Sequence, residues 1–252
     1  MNVGSIATLV AVACTAFFLA DVSHEGMGHG GGCLAVGGRV VSISTTFQDR
    51  RVHSRIVDGA GPVGGLLAAA LALAWLLWAP PQSPNLRTFL CLLFAFTAFW
   101  NVGYMVKSGV ANAGDWAFVI AGLEPAASWR AGLVIVGVVL YLAAMRLLGA
   151  ELAHESALAV GWTPHAFAIV ALLSATLLAV AGAIFDPRGA RVIWSDALPS
   201  ALGAFGLVWV GFALRKRIPS LRLATPFSPG WIISGLLSSA IFIAVLGPAV
   251  RF

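Results

Sequence analysis

The chain reads as an all-α polytopic membrane protein with about seven transmembrane helices and a short β-hairpin-like segment after the first. Three observations predict this. Of 252 residues, 60% are hydrophobic and only 10% charged, against roughly a quarter charged in an average soluble domain; the mean hydropathy is +0.93. Asp, Glu, Lys and Arg are absent from 1–20, 59–86, 88–106, 131–145, 197–214 and 223–250, and 156–185 carries only His165. Each window approaches the ~20 apolar residues that a spanning helix needs. The runs are continuously apolar, whereas strands of an outer-membrane barrel alternate apolar and polar positions. These features exclude a soluble globular enzyme, a disordered chain, a collagen-like fibre and a small barrel.

Helix one is expected over about 4–30. It is not read as a cleavable signal peptide, because no Lys or Arg precedes Arg39 and the positive n-region is missing. Within 39–57, Val41, Ile43, Thr45 and Phe47 alternate with Ser42, Ser44 and Thr46, a period of two that predicts a strand. Gln48-Asp49-Arg50-Arg51 would turn it into a hairpin at the membrane surface. Helix two starts near Gly59 and stops at Pro80-Pro81, where proline disfavours continuation. Helix three covers about 87–106, and Trp116–Gly122 forms a short helix or re-entrant piece. Helix four covers about 129–148, the polar stretch 150–163 is a loop, and helices five to seven cover about 165–185, 193–214 and 229–249. No internal repeat or long linker divides the chain, so 1–252 is read as a single membrane domain.

Fifteen Lys and Arg against ten Asp and Glu leave a net charge of +5. They are spread over short loops, as topology signals are, and form no binding stripe; no nucleic-acid partner is expected. With seven spans, one side holds Arg39, Arg50, Arg51, Arg55, Lys107, Arg130, Arg188, Arg191 and Arg251, and the other holds Arg87, Arg146, Arg215, Lys216, Arg217 and Arg222. The larger set and the dense 215–222 cluster pull in opposite directions, so orientation stays open. Cys14, Cys33 and Cys91 form no CxxC pair and read as small buried hydrophobes. Trp75, Trp78, Trp100, Trp129, Trp162, Trp194 and Trp231 mostly mark helix ends, as an aromatic belt does.

Ionisable groups at membrane depth are costly and point to function. Asp21, His24, Glu25 and His29 cluster near the end of helix one, in Asp-Val-Ser-His-Glu-Gly-Met-Gly-His. Two His with a Glu beside the first is the pattern of a zinc hydrolase helix: the imidazoles bind the metal and the Glu takes a proton from its water. Here the two His are five apart (His-Glu-x-x-x-His), a spacing also found in the soluble dipeptidyl peptidase III family. On a regular α-helix that places them about 140° apart. A π-bulge with i→i+5 bonding realigns them, and Gly26 and Gly28 ease the distortion. A third protein ligand is required; the candidates are Asp115, Asp196, Glu124 and Asp21, with Asp115 in Asn-Ala-Gly-Asp-Trp preferred and Asp196 next.

His24-Glu25 in a first membrane helix, Gly30–Gly32 and Gly37-Gly38-Arg39-Val40 after it, a strand-like segment, Gly61-Pro62 opening the next helix and a later Gly114-Asp115 together resemble the site-2 protease family of intramembrane zinc metalloproteases. The resemblance covers the first half of the chain. It implies a metalloprotease core over 1–125 followed by additional transmembrane helices over 126–252. It also implies one Zn2+ held by His24, His29 and Asp115, with Glu25 as catalytic base and Asn101 in support. The implied substrate is the transmembrane segment of another membrane protein, and the implied setting is the lipid bilayer of the cell membrane. Residues 39–48 would hold the substrate extended by β-augmentation.

Other readings stand beside this one. The His-Glu site would serve a transporter or channel that moves metal ions or protons, or belong to a catalytically inactive protease relative. Gly28-His29-Gly30-Gly31-Gly32 resembles an esterase oxyanion loop, but the chain lacks the Gly-x-Ser-x-Gly that such an enzyme needs. Glu151-x-x-His154 reads as solvated loop polarity, and His53 and His165 as surface or interfacial.

Overall fold

The structure, a computed structural model, describes residues 3–52, 54–154 and 161–252. Among the described residues, seven helices are long and apolar enough to cross a bilayer. In chain order the elements are α1 (Val3–Ala35), β1 (Val40–Ile43), β2 (Gln48–Arg50), α2 (Arg55–Trp78), α3 (Pro84–Ala111), the short α4 (Asp115–Ile120), α5 (Ala126–Ala153), α6 (Pro164–Ala183), α7 (Ile193–Arg217), α8 (Pro229–Leu246) and β3 (Val250–Arg251). The chain is therefore an all-α multi-pass membrane protein with one small sheet. The position of His53 lies outside the described residues.

Local chemistry sets the helix ends. Ser54 caps α2 by accepting from the Val57 amide, and Ser83 caps α3 by accepting from Leu86, with Pro84 in the first turn. Both follow the preference for a hydroxyl at the cap, and α3 also follows that for proline just inside it. Asn112 ends α3 in the left-handed region, where Asn and Gly are tolerated. α3 is the central span: Leu90, Leu92, Phe96 and Phe99 are buried on it, and Phe96 meets Phe17 of α1 edge to face at 5.8 Å. Leu71, Ile135, Val139 and Leu177 face outward, as lipid contact requires of helices whose backbone bonds are satisfied internally.

The hairpin is present with a different turn. Ser44 to Phe47 make the connection, with the Ser44 amide donating to the Phe47 carbonyl (2.8 Å), and Gln48–Arg50 form the returning strand rather than the turn. β1 pairs antiparallel with β2 through Ile43–Gln48 and with β3 through Ser42–Arg251 and Ile43–Val250. The sheet order is β2-β1-β3. The expectation that residues 39–48 offer an open edge is thus corrected: β1 is the central strand, and a pairing 200 residues distant in sequence fills its second edge.

The reading of 150–163 as loop changes at its start, while 155–160 lie outside the described residues. α5 runs on to Ala153, and Glu151 is buried, where it accepts from Arg87 of α3 (2.9 Å). Neutralising each other across two helices is what lets both groups sit at this depth.

The hairpin tip is tied to the loop between α6 and α7. The buried Asp186 carboxylate accepts from Ser44 Oγ (3.1 Å), Thr46 Oγ1 (2.7 Å) and the Arg188 amide (2.8 Å) and guanidinium Nε (3.1 Å). Burial pushes this carboxyl up, and the hydrogen bonds from Arg188 and Thr46 outweigh it, holding the group below its ordinary range. Asp186→Asn is expected to cost about 1–3 kcal/mol. A carboxyl depressed in the folded state contributes stability above its unfolded value, about 3.9, and loses it as pH falls through the lower folded value. The gap between wild type and variant should therefore be full at pH 7 and close below about pH 4, as read by tryptophan-monitored melting in detergent.

Candidate metal centre

The sequence forces α1 to change character where it turns polar. From Ser23 to Gly30 the helix is π-wound throughout, longer than a single bulge. The wider turn is what brings residues 24 and 29 together: the two rings lie 5.0 Å apart between centroids, near perpendicular at 84°. Glycine makes room on both sides. A Cβ on Gly28 would lie 2.7 Å from the Ala60 carbonyl oxygen of α2. Cβ atoms on Gly61 and Gly65 would collide with the His29 ring and the Asn101 carboxamide. The glycine-rich start of α2 is therefore the surface against which the centre is built.

Hydrogen bonding fixes which ring nitrogen of each imidazole faces inward. Asn101 Nδ2 donates to the Thr97 carbonyl (2.7 Å), so its Oδ1 faces His24 and accepts from Nδ1 (2.7 Å). His29 Nδ1 donates to the Val57 carbonyl (2.8 Å), an atom that can only accept. In the neutral rings each Nε2 then carries a lone pair. Both lone pairs point at one atom: Asp115 Oδ2 lies 3.2 Å from His24 Nε2 and 3.2 Å from His29 Nε2. Glu25 Oε1 stands 3.9 Å from His24 Nε2. His24 is further held by stacking on Trp100 at 4.6 Å.

Asp115 arrives from α4. Gly114 precedes it at φ +86°, a left-handed conformation that suits glycine, and the Asp115 amide donates to the Tyr104 hydroxyl (3.3 Å).

Three electron-rich atoms converging at this distance fit a bound cation. Ligand atoms of a tetrahedral zinc with ~2.0–2.1 Å bonds lie about 3.3 Å apart, close to both observed separations. The outward hydrogen bonds from each Nδ1 are the second layer that such a site uses to orient imidazoles. His24, Glu25 and His29 also offer atoms all within 4.8 Å of one another. The donor set is compatible with one divalent ion on His24, His29 and Asp115, with Glu25 beside it.

The remaining expectations sort cleanly. Asp196 lines the same cavity, but its contacts are Ser195 Oγ (2.8 Å) and Arg188 (3.9 Å), not the imidazoles. Glu124 accepts from the Ala126 amide at the start of α5. Asp21 is buried one turn before Glu25, and its Oδ2 has no hydrogen-bond partner among the described residues. Asn101, expected in support, holds His24. Sequence reasoning missed Trp100, Tyr104, Gln48 and Arg188, which all line the cavity of about 730 Å³ above the centre. Trp100 and Tyr104 flank Asn101 at helical spacing on α3, which is the one signal that pointed to them.

No protein-family model matches the chain, and no curated protein or solved structure matches it. The functional argument therefore rests on the geometry.

Two outcomes follow. Purified wild type should carry about one zinc per chain, and His24→Ala, His29→Ala and Asp115→Ala should lose it; Asn101→Ala should weaken zinc binding by roughly 10–100-fold, as losses of such supporting groups do. Gly61→Ala, which adds one methyl where the His29 ring stands, should lower zinc content although residue 61 is no ligand. Metal analysis of the protein after detergent extraction reads all five.

Proposed function

We propose that this chain is an intramembrane zinc metalloprotease resembling the site-2 protease type, a zinc-dependent endopeptidase acting on a transmembrane or juxtamembrane segment of another membrane protein. The observation that carries this reading is the convergence of His24 Nε2 and His29 Nε2, on the apolar helix Val3–Ala35, with Asp115 Oδ2, and Glu25 beside them.

The bound ion would polarise a peptide carbonyl and lower the pKa of a water towards ~7. The residues do the rest. His24, His29 and Asp115 would supply three ligands to the ion. Asn101 and the Val57 carbonyl keep both Nε2 atoms aimed inward. Glu25 is buried and placed to take the proton of the attacking water, then return it to the leaving amine, the usual service of a positioned carboxylate. A helical substrate hides its peptide bonds, so the scissile stretch must unwind before it enters the cavity. The hairpin and the segment around Arg188 and Ser200 wall that cavity.

A transporter of metal ions or protons is the second reading, favoured by the unpartnered Asp21 oxygen on the helix that bears the site. One variant separates the two. Glu25→Gln should retain zinc and lower peptide-bond cleavage of co-reconstituted single-span membrane proteins by about 10²–10⁴-fold, the range of general-base catalysis. Zinc retained, with no cleavage by wild type and with ion flux lost in Glu25→Gln vesicles, would replace the protease reading with the transporter.

A further inference from the structure

The hairpin that walls the cavity carries buried polar atoms with no hydrogen-bond partner among the described residues. Ser44 and Thr46 are committed to Asp186. Thr45 and Gln48 are not. Both are buried and line the cavity, yet Thr45 Oγ1 and Gln48 Nε2 have no hydrogen-bond partner among the described residues, and neither does the neighbouring Arg50 Nε.

The direction of the Gln48 amide is determined. Arg50 can only donate, and its guanidinium donates to Gln48 Oε1 (3.3 Å); Arg50 is itself fixed by an ion pair with Asp58. Oε1 therefore faces Arg50, and the two N–H groups of Nε2 face away from it. Nε2 stands 3.8 Å from where a Cβ on Gly30 would lie, one residue beyond His29. A buried amide donor without an acceptor is unfavourable, and such atoms call for explanation in a native structure. Here a donor and a hydroxyl, three residues apart on one hairpin, sit beside the metal centre. An extended peptide main chain presents the matching groups, a carbonyl and an N–H in alternation. β1 is closed on both edges by β2 and β3, so it cannot pair with such a chain itself, and the side chains of Thr45 and Gln48 are placed to hold one.

We propose that Gln48, with Thr45, forms a subsite that grips the main chain of an extended peptide substrate next to the metal centre, Gln48 Nε2 donating to a substrate carbonyl oxygen. This rests on the protease reading. No covalent step is involved; Gln48 binds and positions.

The test uses the full chain in nanodiscs, loaded with zinc, and two probes: acetohydroxamate, which reports the metal alone, and a tripeptidyl hydroxamate, which adds a peptide main chain. Gln48→Glu keeps the acceptor for Arg50 and removes the donor. It should weaken the tripeptidyl probe about tenfold, the scale of one hydrogen bond, while acetohydroxamate affinity and zinc content stay at wild-type levels. A second arm needs no variant. Among tripeptidyl hydroxamates with one amide carbonyl each reduced to methylene, one should bind wild type about tenfold less tightly and lose nothing further in Gln48→Glu. Equal binding of all reduced analogues to wild type, or equal losses for both probes in the variant, overturns the subsite while leaving the metal centre standing. Wild type that holds no zinc and binds neither probe overturns the protease reading, and the subsite with it.

Discussion

Two imidazoles five residues apart can meet one point only if the helix between them is unwound from the α-helical pitch. Everything else at the centre answers that constraint. The π-wound Ser23–Gly30 segment aligns His24 and His29, and its wider girth needs a partner helix with no side chains in the way. α2 supplies one through Gly61, Gly64 and Gly65. With the backbones this close, the Val57 carbonyl of α2 reaches His29 and Asn101 of α3 reaches His24, and the two rings are held from behind. Asp115 then closes the third side.

The spans and much of the centre were legible in the sequence because both are local signals. Charge-free runs mark helices, and an acid or imidazole within an apolar run stands out by its cost. The spacing of His24 and His29 even predicted the winding of the helix that carries them. What stayed hidden depends on partners far along the chain. Glu151 looked like loop polarity because Arg87, which neutralises it, lies 64 residues earlier. β1 looked like an open edge because β3 carries no periodic signature in two residues. Gln48 was assigned to a turn because the break between strands falls at Ser44–Phe47, where Thr45 and Thr46 continue the alternation without forming a strand.

The second half of the chain does more than add spans. Its loop between α6 and α7 grips the hairpin through Asp186, and Arg188 lies over the Phe47 ring at 4.6 Å. β3 extends the sheet from the other side. The hairpin is thus anchored from residues 186–188 and 250–251 while its inner wall faces the imidazoles. A cavity whose floor comes from the first half and whose roof is tied to the second couples the folding of the halves to the shape of the site.

The fit of Gly61 under His29 and of Gly65 under Asn101 also bears on how such a chain can drift over time. Positions 61 and 29 are sterically coupled: a larger residue at 61 needs the room that the imidazole fills, and once 61 is filled that room is gone. Neighbours in contact deviate from additivity in this way. Loss of the centre in a descendant would therefore tend to be one-way, with the filled glycine acting as a ratchet.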